Sequence, residues 1–332
     1  MRRSILTRRT SKQELLNKTL IFSGTAHPAL SREIAGYLNL QLQPTDIRKF
    51  SNDNFYVHLG ASVRSKEVFI IQPLSPPCSD NLLELLFMLD VARSAGAKSV
   101  HAVIPYYSYA RSDKKDAPRI SIAARLIADL LATAGATHVV TMTLHSPQVH
   151  GFFSIPTDHL TAHSVFVEYF RDQDLSNAVV LSADIGHAKR AAKLARALDL
   201  PVAACEKMRL TDESVSIAGI MGDVKGKRVL LVDDEIATGG TIAETIRLLR
   251  MQDVSRITIL CTHGLFSGRA AERLDAFEEI EKIIITNTLP LPEERRPRRL
   301  EVLSVARIFG EVIRCNVRGE SVGALFEFWP TT

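Results

Sequence analysis

Two kinds of hydrophobic pattern alternate along most of the chain. Short runs rich in β-branched residues predict buried strands, and longer runs with apolar residues three or four positions apart predict amphipathic helices. In 81–95, Leu82, Leu85 and Leu89 share one face, and Asp80 is the expected N-cap. Strands alternating with such helices predict βαβ units and largely parallel sheets. The predicted strands are 19–22, 68–71, 99–104, 138–142, 178–181, 202–205, 228–232, 256–261 and 282–286, and the other predicted helices are 121–134 and 187–198.

The segment 40–64 departs from this alternation. Its pattern is typical of antiparallel strands, and residues 50–54 are predicted to form the turn between them. On both sides of a boundary near 151–161 the elements follow in a similar order. We therefore predict two similar α/β domains, 19–158 and 159–332, preceded by a solvated Arg-rich extension, 1–18.

Composition narrows the class of protein. The 332 residues carry 41 Lys and Arg against 37 Asp and Glu, a net charge of +4, which argues against a nucleic-acid-binding protein. No apolar run approaches the roughly 18 residues that a membrane span needs, so we expect no membrane partner. The four cysteines are far apart, without C-x-x-C spacing, so reduced thiols and a cytoplasmic location are expected.

The strongest chemical motif is the segment 229–241. An apolar strand leads into Asp233 and Asp234, and a turn of small residues, 237–241, then opens a helix. Glycines let backbone amides approach a phosphate, and the helix N-terminus favours the anion. Two acids beside a phosphate would repel it unless they hold sugar hydroxyls or a metal, so the motif predicts a ribose-phosphate site. The alternative is a glycine turn with two capping acids.

This motif resembles the phosphoribosyl-binding loop of phosphoribosyltransferases, and other segments extend the resemblance over nearly the whole chain beyond residue 19. In order and spacing the chain resembles the ribose-phosphate pyrophosphokinases, also called phosphoribosyl pyrophosphate synthetases. The segments that carry this resemblance are 22–24, 104–115, 144–148, 151–153, 262–268 and 320–322. The resemblance implies two phosphoribosyltransferase-like domains, the first for ATP and the second for ribose 5-phosphate.

The implied reaction transfers pyrophosphate from ATP to ribose 5-phosphate, with Mg²⁺ as cofactor. By position, Lys207 and Arg209 would be catalytic, and His145 and Asp184 would bind the metal. The residues implied to bind ATP are Phe50, Asn52, Asp53, Asn54, Arg111, Ser112 and Asp113, and those implied to bind ribose 5-phosphate are Arg209, Asp233, Asp234, Ala237, Thr238, Gly239, Gly240 and Thr241. The family forms hexamers built from dimers, so a homo-oligomer is expected. His159 and His163 are interpreted as packing residues.

The chain departs from the family mainly around the expected nucleotide site. Asn52, Asn54, Thr143 and Ser154 stand where the family is acidic, and Ser112 replaces a usual Gln. Ala237 replaces an Asp that synthetases usually carry. Fewer carboxylates should weaken Mg²⁺ binding or alter the choice of phosphoryl donor. The leading hypothesis is an active synthetase with a modified nucleotide site; the alternatives are a catalytically weak regulatory paralogue and a phosphoribosyltransferase acting on a base.

Overall fold

The computed structural model describes residues 18–209 and 215–325, and these divide into two compact units. Of the described residues, the first unit contains those up to Thr161, with Thr288–Pro290 and the segment from Val305 onward. The second unit contains Ala162–Asn287 and Leu291–Ser304. The predicted domains divide the chain once, after residue 158. The observed units differ from them because the last helix packs with the first unit. No described helix has the length and apolar character to cross a membrane.

The first unit is built on a six-stranded parallel sheet in the order β2-β1-β5-β6-β7-β8. All five residues of β7 are buried, as expected for a strand covered on both faces. The strands are β1 Thr19–Ser23, β2 Leu42–Gln43, β5 Glu67–Ile71, β6 Ser99–Ile104, β7 His138–Met142 and β8 Thr157–Leu160.

Four helices belong to this unit: α1 Pro28–Tyr37, α2 Cys78–Ser94, α3 Ala123–Ala134 and α8 Ala306–Arg318. Helix α2 begins three residues earlier than its apolar face predicts, so the expectation that Asp80 is the N-cap is wrong. Pro77 holds that position and Asp80 lies in the first turn, where its charge still favours the helix dipole. Leu85, Met88 and Leu89 of α2 pack into the core over the sheet.

The predicted antiparallel hairpin is confirmed. Strands β3 Thr45–Lys49 and β4 Phe55–Leu59 pair in a separate two-stranded sheet, with Lys49 opposite Phe55. The turn is closed by the Phe50 amide, which donates to the Asn54 carbonyl at 2.8 Å. Asp53 takes the left-handed conformation there, with φ of 69°, which Asp tolerates better than most side chains.

The second unit contains a seven-stranded sheet in the order β11-β10-β9-β12-β13-β14-β15. Only the β10–β11 pair is antiparallel. The strands are β9 Ala178–Ser182, β10 Val202–Arg209, β11 Val215–Met221, β12 Arg228–Ile236, β13 Arg256–Gly264, β14 Ile280–Thr286 and β15 Leu300–Leu303; the helices are α4 His163–Phe170, α5 Ala188–Ala197, α6 Gly240–Arg250 and α7 Ala270–Asp275. Its core includes Leu231, Ile246 and Phe266.

The two sheets share one topology. Strands β2-β1-β5-β6-β7-β8 of the first unit correspond in order and direction to β10-β9-β12-β13-β14-β15 of the second. Each unit also inserts an antiparallel hairpin before its central strand, β3–β4 before β5 and β10–β11 before β12. This confirms the predicted fold class of two similar domains with largely parallel sheets.

Candidate functional site

The loop 237–241 lies at the carboxyl end of β12, where parallel α/β sheets place their ligands. Gly239 is the N-cap of α6, with φ of 71° and ψ of 8°, a left-handed conformation that favours glycine. Its carbonyl accepts the first helical hydrogen bond, from the Ala243 amide at 3.0 Å. The amides of Gly240, Thr241 and Ile242 precede that bond, so they have no partner within the helix and are available to an anion.

Neighbouring segments hold the loop in place. The Ser267 amide donates to the Ala237 carbonyl at 2.8 Å, and the Arg273 guanidinium donates to the Thr238 carbonyl. A Cβ added at Gly240 would meet nothing closer than 3.7 Å, so steric crowding within the chain does not explain that glycine. Close approach of a ligand to the backbone is the remaining physical reason.

Asp233 and Asp234 lie inside β12, because the strand continues to Ile236 instead of ending at 232 as predicted. The Asp234 side chain is buried, and its backbone amide donates to the Asp233 carboxylate at 2.8 Å. Burial raises the pKa of the neighbouring Cys261 thiol, and the charges of the two aspartates raise it further. The pair thus creates a negative field immediately before the amides of the loop.

The loop after β9 contains the predicted metal ligand Asp184. Its Oδ1 accepts from the Gly186 amide at 2.8 Å, which caps the short turn Ile185–His187. Since β9 pairs with β12, with Ser182 opposite Val232, this loop and the two aspartates occupy the same edge of the sheet. Helix α5 then brings Arg190 toward Asp234: burial lowers the pKa of this guanidinium, and the Asp234 charge opposes that shift.

The structure also brings His187 to this edge, although sequence reasoning missed it. A ring nitrogen of His187 and a carboxylate oxygen of Asp234 lie within 4.8 Å of each other. His187 and Arg190 were detectable only as polar residues in the first turn after a strand end, a pattern that solvated helices share.

The predicted catalytic residues Lys207 and Arg209 lie on β10, which pairs with β11 through a register shift between Glu206 and Lys207. Beyond the shift, Lys207 is opposite Ile217 and Arg209 is opposite Val215. The side chains at 207–209 and residues 210–214 fall outside the part of the chain that the structure describes.

In the first unit, the predicted ATP residues Arg111, Ser112 and Asp113 follow β6. They begin at the end of a 3-10 turn, Ser108–Arg111, and the Ser112 carbonyl accepts from the Ala124 amide at the start of α3. The buried Tyr107 hydroxyl donates to the Ala124 carbonyl at 2.8 Å, and burial raises the pKa of this phenol. Helix α3 therefore fixes this loop at the carboxyl edge of the first sheet.

His145, the other predicted metal ligand, follows β7 at the same edge. The Leu144 amide beside it donates to Nε2 of His159 at 2.9 Å. His159 lies on β8 and thus positions the backbone next to His145, a more specific role than the packing predicted for it.

The remaining predicted ATP residues lie at the tip of the β3–β4 hairpin. The Phe50 side chain is 54% exposed and Tyr56 is 42% exposed, with their ring centroids 6.2 Å apart. Lys49 holds the turn through an ion pair with Asp53 at 2.8 Å. An exposed aromatic pair at a hairpin tip can stack on a planar ring such as a nucleobase.

Comparison with known proteins agrees with this arrangement. A family model for the N-terminal domain of ribose phosphate pyrophosphokinase matches residues 19–135, and one for the phosphoribosyl synthetase-associated domain matches 208–327. The chain is 49% identical over 310 residues to a putative ribose-phosphate pyrophosphokinase of Streptomyces coelicolor, covering 93% of this chain and 98% of the relative. It is 47% identical over 312 residues to the ribose-phosphate pyrophosphokinase of Deinococcus radiodurans, covering 92% and 97%. The crystal structure of the phosphoribosylpyrophosphate synthetase from Mycobacterium smegmatis superposes with a TM-score of 0.85 at 38% identity, covering 91% of this chain and 99% of that one.

Proposed function

Because this chain belongs to the ribose-phosphate pyrophosphokinase family, we propose that it transfers the pyrophosphoryl group of ATP to the anomeric hydroxyl of ribose 5-phosphate. The anomeric hydroxyl loses its proton to water as its oxygen bonds to the β-phosphorus, the bond from that phosphorus to the AMP oxygen breaks, and AMP leaves with the electron pair. The observation that carries this proposal is the loop of the second unit, in which the amides at the start of α6 follow a strand that carries two adjacent aspartates.

The two parts of this loop suit the two parts of ribose 5-phosphate. The amides of Gly240, Thr241 and Ile242 bind the 5-phosphate, and the Thr238 and Thr241 hydroxyls add donors. Asp233 and Asp234 accept hydrogen bonds from the ribose hydroxyls. Phosphate and carboxylates then bind opposite ends of the sugar, so their charges do not repel each other at close range.

Lys207 and Arg209 supply the fixed positive charge that pyrophosphoryl transfer requires. Negative charge builds up on the transferred group, and cations placed beside it stabilise the transition state more than the ground state. We assign Lys207 to the transferred group and Arg209 to the phosphate oxygens, as the resemblance of 206–209 to the family's catalytic loop implies.

For ATP we propose the loop 111–113 and the tip of the β3–β4 hairpin. Arg111 offers a guanidinium to the phosphates or to the face of the base, and Phe50 offers an exposed ring. Since Phe50 lies on an exposed tip, we propose that the protein is a homo-oligomer in which the tip completes the ATP site of another copy. Nucleic acid and membrane are not proposed as partners, and the proposed location is the cytoplasm.

The metal proposed for this reaction is Mg²⁺, which shields the phosphate charges and polarises the transferred group. The carboxylates of the second unit fit a hard cation. Asp184, Asp233 and Asp234 provide carboxylates at one edge of the second sheet, and His145 provides an imidazole in the first. Mg²⁺ retains several waters, so few protein ligands are needed.

The test is direct. Purified protein with ATP, Mg²⁺ and ribose 5-phosphate should form AMP and phosphoribosyl pyrophosphate in equal amounts. Lys207→Ala should lower kcat by about two to three orders of magnitude with little change in the KM of ribose 5-phosphate, because the lysine acts mainly in the transition state. Absence of both products from the unmodified protein contradicts the proposal.

The residues that depart from the family distinguish the remaining possibilities. If Asn52→Asp and Asn54→Glu lower the KM of MgATP, the nucleotide site is active but modified. If only these variants turn over, the natural chain is a weak paralogue. Release of pyrophosphate from phosphoribosyl pyrophosphate and a free base would indicate a transferase instead.

A further inference from the structure

We infer that His187 is a metal-binding residue of the ribose 5-phosphate site, where together with Asp234 it gives the site a nitrogen ligand and raises its affinity for Mn²⁺. The inference rests on the proposed function for the role of the ion, but the binding itself can be tested on protein without substrates. The observation is the approach of a His187 ring nitrogen to an Asp234 carboxylate oxygen within 4.8 Å.

Backbone hydrogen bonds hold His187 at the carboxyl edge of the second sheet. It ends the turn that Asp184 caps, and its amide donates to the Asp184 carbonyl at 3.1 Å. It is also the N-cap residue of α5, although its side chain does not bond to the helix amides. Asp234 is 6% exposed on the adjacent strand β12. A hydrogen-bonded turn and a buried strand therefore position the two residues.

The separation suits one shared ion. Metal–ligand bonds of about 2.0 to 2.3 Å place two donors of one ion roughly 3 to 4.5 Å apart, depending on the angle between them. The remaining coordination positions are left for water and for oxygen atoms of the sugar phosphate. This arrangement binds an ion that the substrate also contacts.

The positive charge of Arg190 beside Asp234 favours a metal ion that binds an imidazole nitrogen as a ligand. Arg190 faces Asp234 from the same helix that follows His187 and offsets part of its negative charge. The Arg190 guanidinium lowers the metal affinity of a site that has only carboxylate ligands, because it offsets their negative charge. A neutral imidazole adds a donor without adding charge, and Mn²⁺ accepts imidazole more readily than Mg²⁺, which prefers oxygen.

The competing interpretation is that His187 only stabilises the Asp184 turn or pairs with Asp234 as a hydrogen-bonding partner. Both interpretations predict a cost in stability when His187 is replaced. They differ in whether an imidazole nitrogen coordinates the ion, so the decisive measurement is made on the metal.

Mn²⁺ is the probe. Binding to substrate-free protein is followed by the electron paramagnetic resonance signal of free Mn²⁺, and electron spin echo modulation detects coordinated nitrogen. All variants are prepared in a His145→Ala background as well, so that the other predicted metal-binding histidine does not contribute. His58→Gln, a substitution of an exposed histidine on β4, is the matched control.

We expect His187→Gln to weaken Mn²⁺ binding at least tenfold and to abolish the nitrogen modulation in the His145→Ala background. Asp234→Asn should weaken binding similarly, and the double variant should lose little more, because the two residues hold the same ion. His187→Asn serves as a second replacement if His187→Gln is unstable. Equal Mn²⁺ affinity and unchanged nitrogen modulation in the His187 variants would overturn the inference.

Failure of the proposed function gives a different result. If no variant forms phosphoribosyl pyrophosphate but His187→Gln still loses Mn²⁺, the ion site stands and the proposed reaction is wrong. If the unmodified protein is active and its ratio of activity with Mn²⁺ to activity with Mg²⁺ is the same in His187→Gln, the reaction stands and the role of His187 in it is wrong.

Discussion

His101 should make the first unit less stable as the pH falls, and His101→Gln should remove that dependence. The residue lies on β6, is 8% exposed and stacks on Phe69 with ring centroids 4.1 Å apart. Its Nδ1 is 3.1 Å from Nδ1 of His138, whose Nε2 is 3.2 Å from the Asp158 carboxylate. Asn316 of α8 also donates to that carboxylate, at 3.2 Å.

The tautomers follow from these partners. Asp158 accepts, so a neutral His138 carries its proton on Nε2 and accepts at Nδ1. His101 must then donate from Nδ1, which leaves its Nε2 to accept from the Ser99 hydroxyl at 3.2 Å. Each ring nitrogen of the two histidines has a hydrogen-bonding partner while both imidazoles are neutral.

Burial, and then the charge of a protonated His138, lowers the pKa of His101 from 6.5 to about 3. Below about pH 6.5 the unfolded chain therefore binds a proton at this histidine, whereas the folded chain binds it only below about pH 3. Between these two values, the folded state becomes less stable as the pH is lowered. At about 1.4 kcal/mol per pH unit, this residue costs the folded state roughly 2 kcal/mol between pH 7.5 and pH 5. Asp158 does not contribute to the change between pH 7.5 and pH 5. Because its pKa is lowered in the folded state, the stability that it provides is present above about pH 4 and is lost only at lower pH.

The assay is hydrogen exchange of the peptides from β6 and β7 at steps from pH 7.5 to pH 5, after correction for the intrinsic pH dependence of exchange. These peptides report on the first unit, which separates His101 from His163, whose pKa burial lowers to about 4 in the second unit. His101→Gln should lower stability at pH 7.5 but flatten the slope, and His58→Gln should leave the slope unchanged. A slope in His101→Gln equal to that of the unmodified protein would refute the reasoning.

Three further predictions concern single side chains. Glu84→Ala should lower the free energy of unfolding, measured in urea, by about 3 kcal/mol or more, because it deprives the Thr25 amide and hydroxyl of their acceptor and Gln72 Nε2 of one of its two acceptors. Glu84→Gln should lower it by about 1 kcal/mol. Equal losses in the two variants would contradict this. Gly239→Ala should lower the free energy of unfolding by about 1 kcal/mol through backbone strain and not through a clash, since the nearest atom would lie 3.5 Å from the new Cβ, and it should raise the KM of ribose 5-phosphate. Gly240→Ala has no such strain, so it should change KM more than the free energy of unfolding. Of the four cysteines, only the partly exposed Cys78 should react rapidly with a thiol reagent in the folded protein, and rapid loss of a second thiol would show that a buried cysteine opens.

The strands were the most predictable part of the fold. Buried parallel strands such as β5, in which residues 68–71 are all apolar, show continuous apolar runs, and the hairpin at 45–59 shows the alternation of a half-exposed ribbon. Strands β8, β11 and β15 were not predicted. All three lie at sheet edges. Strands β8 and β15 are each four residues long, and the polar residues Asp158 and His159 in β8 hide its pattern.

The candidate site was predictable only where it forms a continuous motif. The proposed ribose-phosphate loop and the strand before it are contiguous in sequence, so the glycines, threonines and two aspartates could be recognised together. His187 and Arg190 meet Asp234 only because β9 and β12 are neighbours in the sheet, although more than 40 positions separate them along the chain. Pairing between distant strands carries no local signal, so this part of the site required the structure.

The two sheets share one topology, yet among the described residues only the second unit carries the loop proposed to bind ribose 5-phosphate. Strand β5 and helix α2 occupy in the first sheet the position of β12 and α6 in the second, and Pro77 is the N-cap where α6 has Gly239. Proline cannot adopt a positive φ or donate an amide hydrogen bond, and Asp80 places a negative charge in the first turn of α2. The neighbouring cavity, about 300 Å³, is lined by Lys49, Asp80 and Glu84, so its acids outnumber its one cation. A phosphate would be repelled there, which explains why the ribose 5-phosphate site is proposed for the second unit alone.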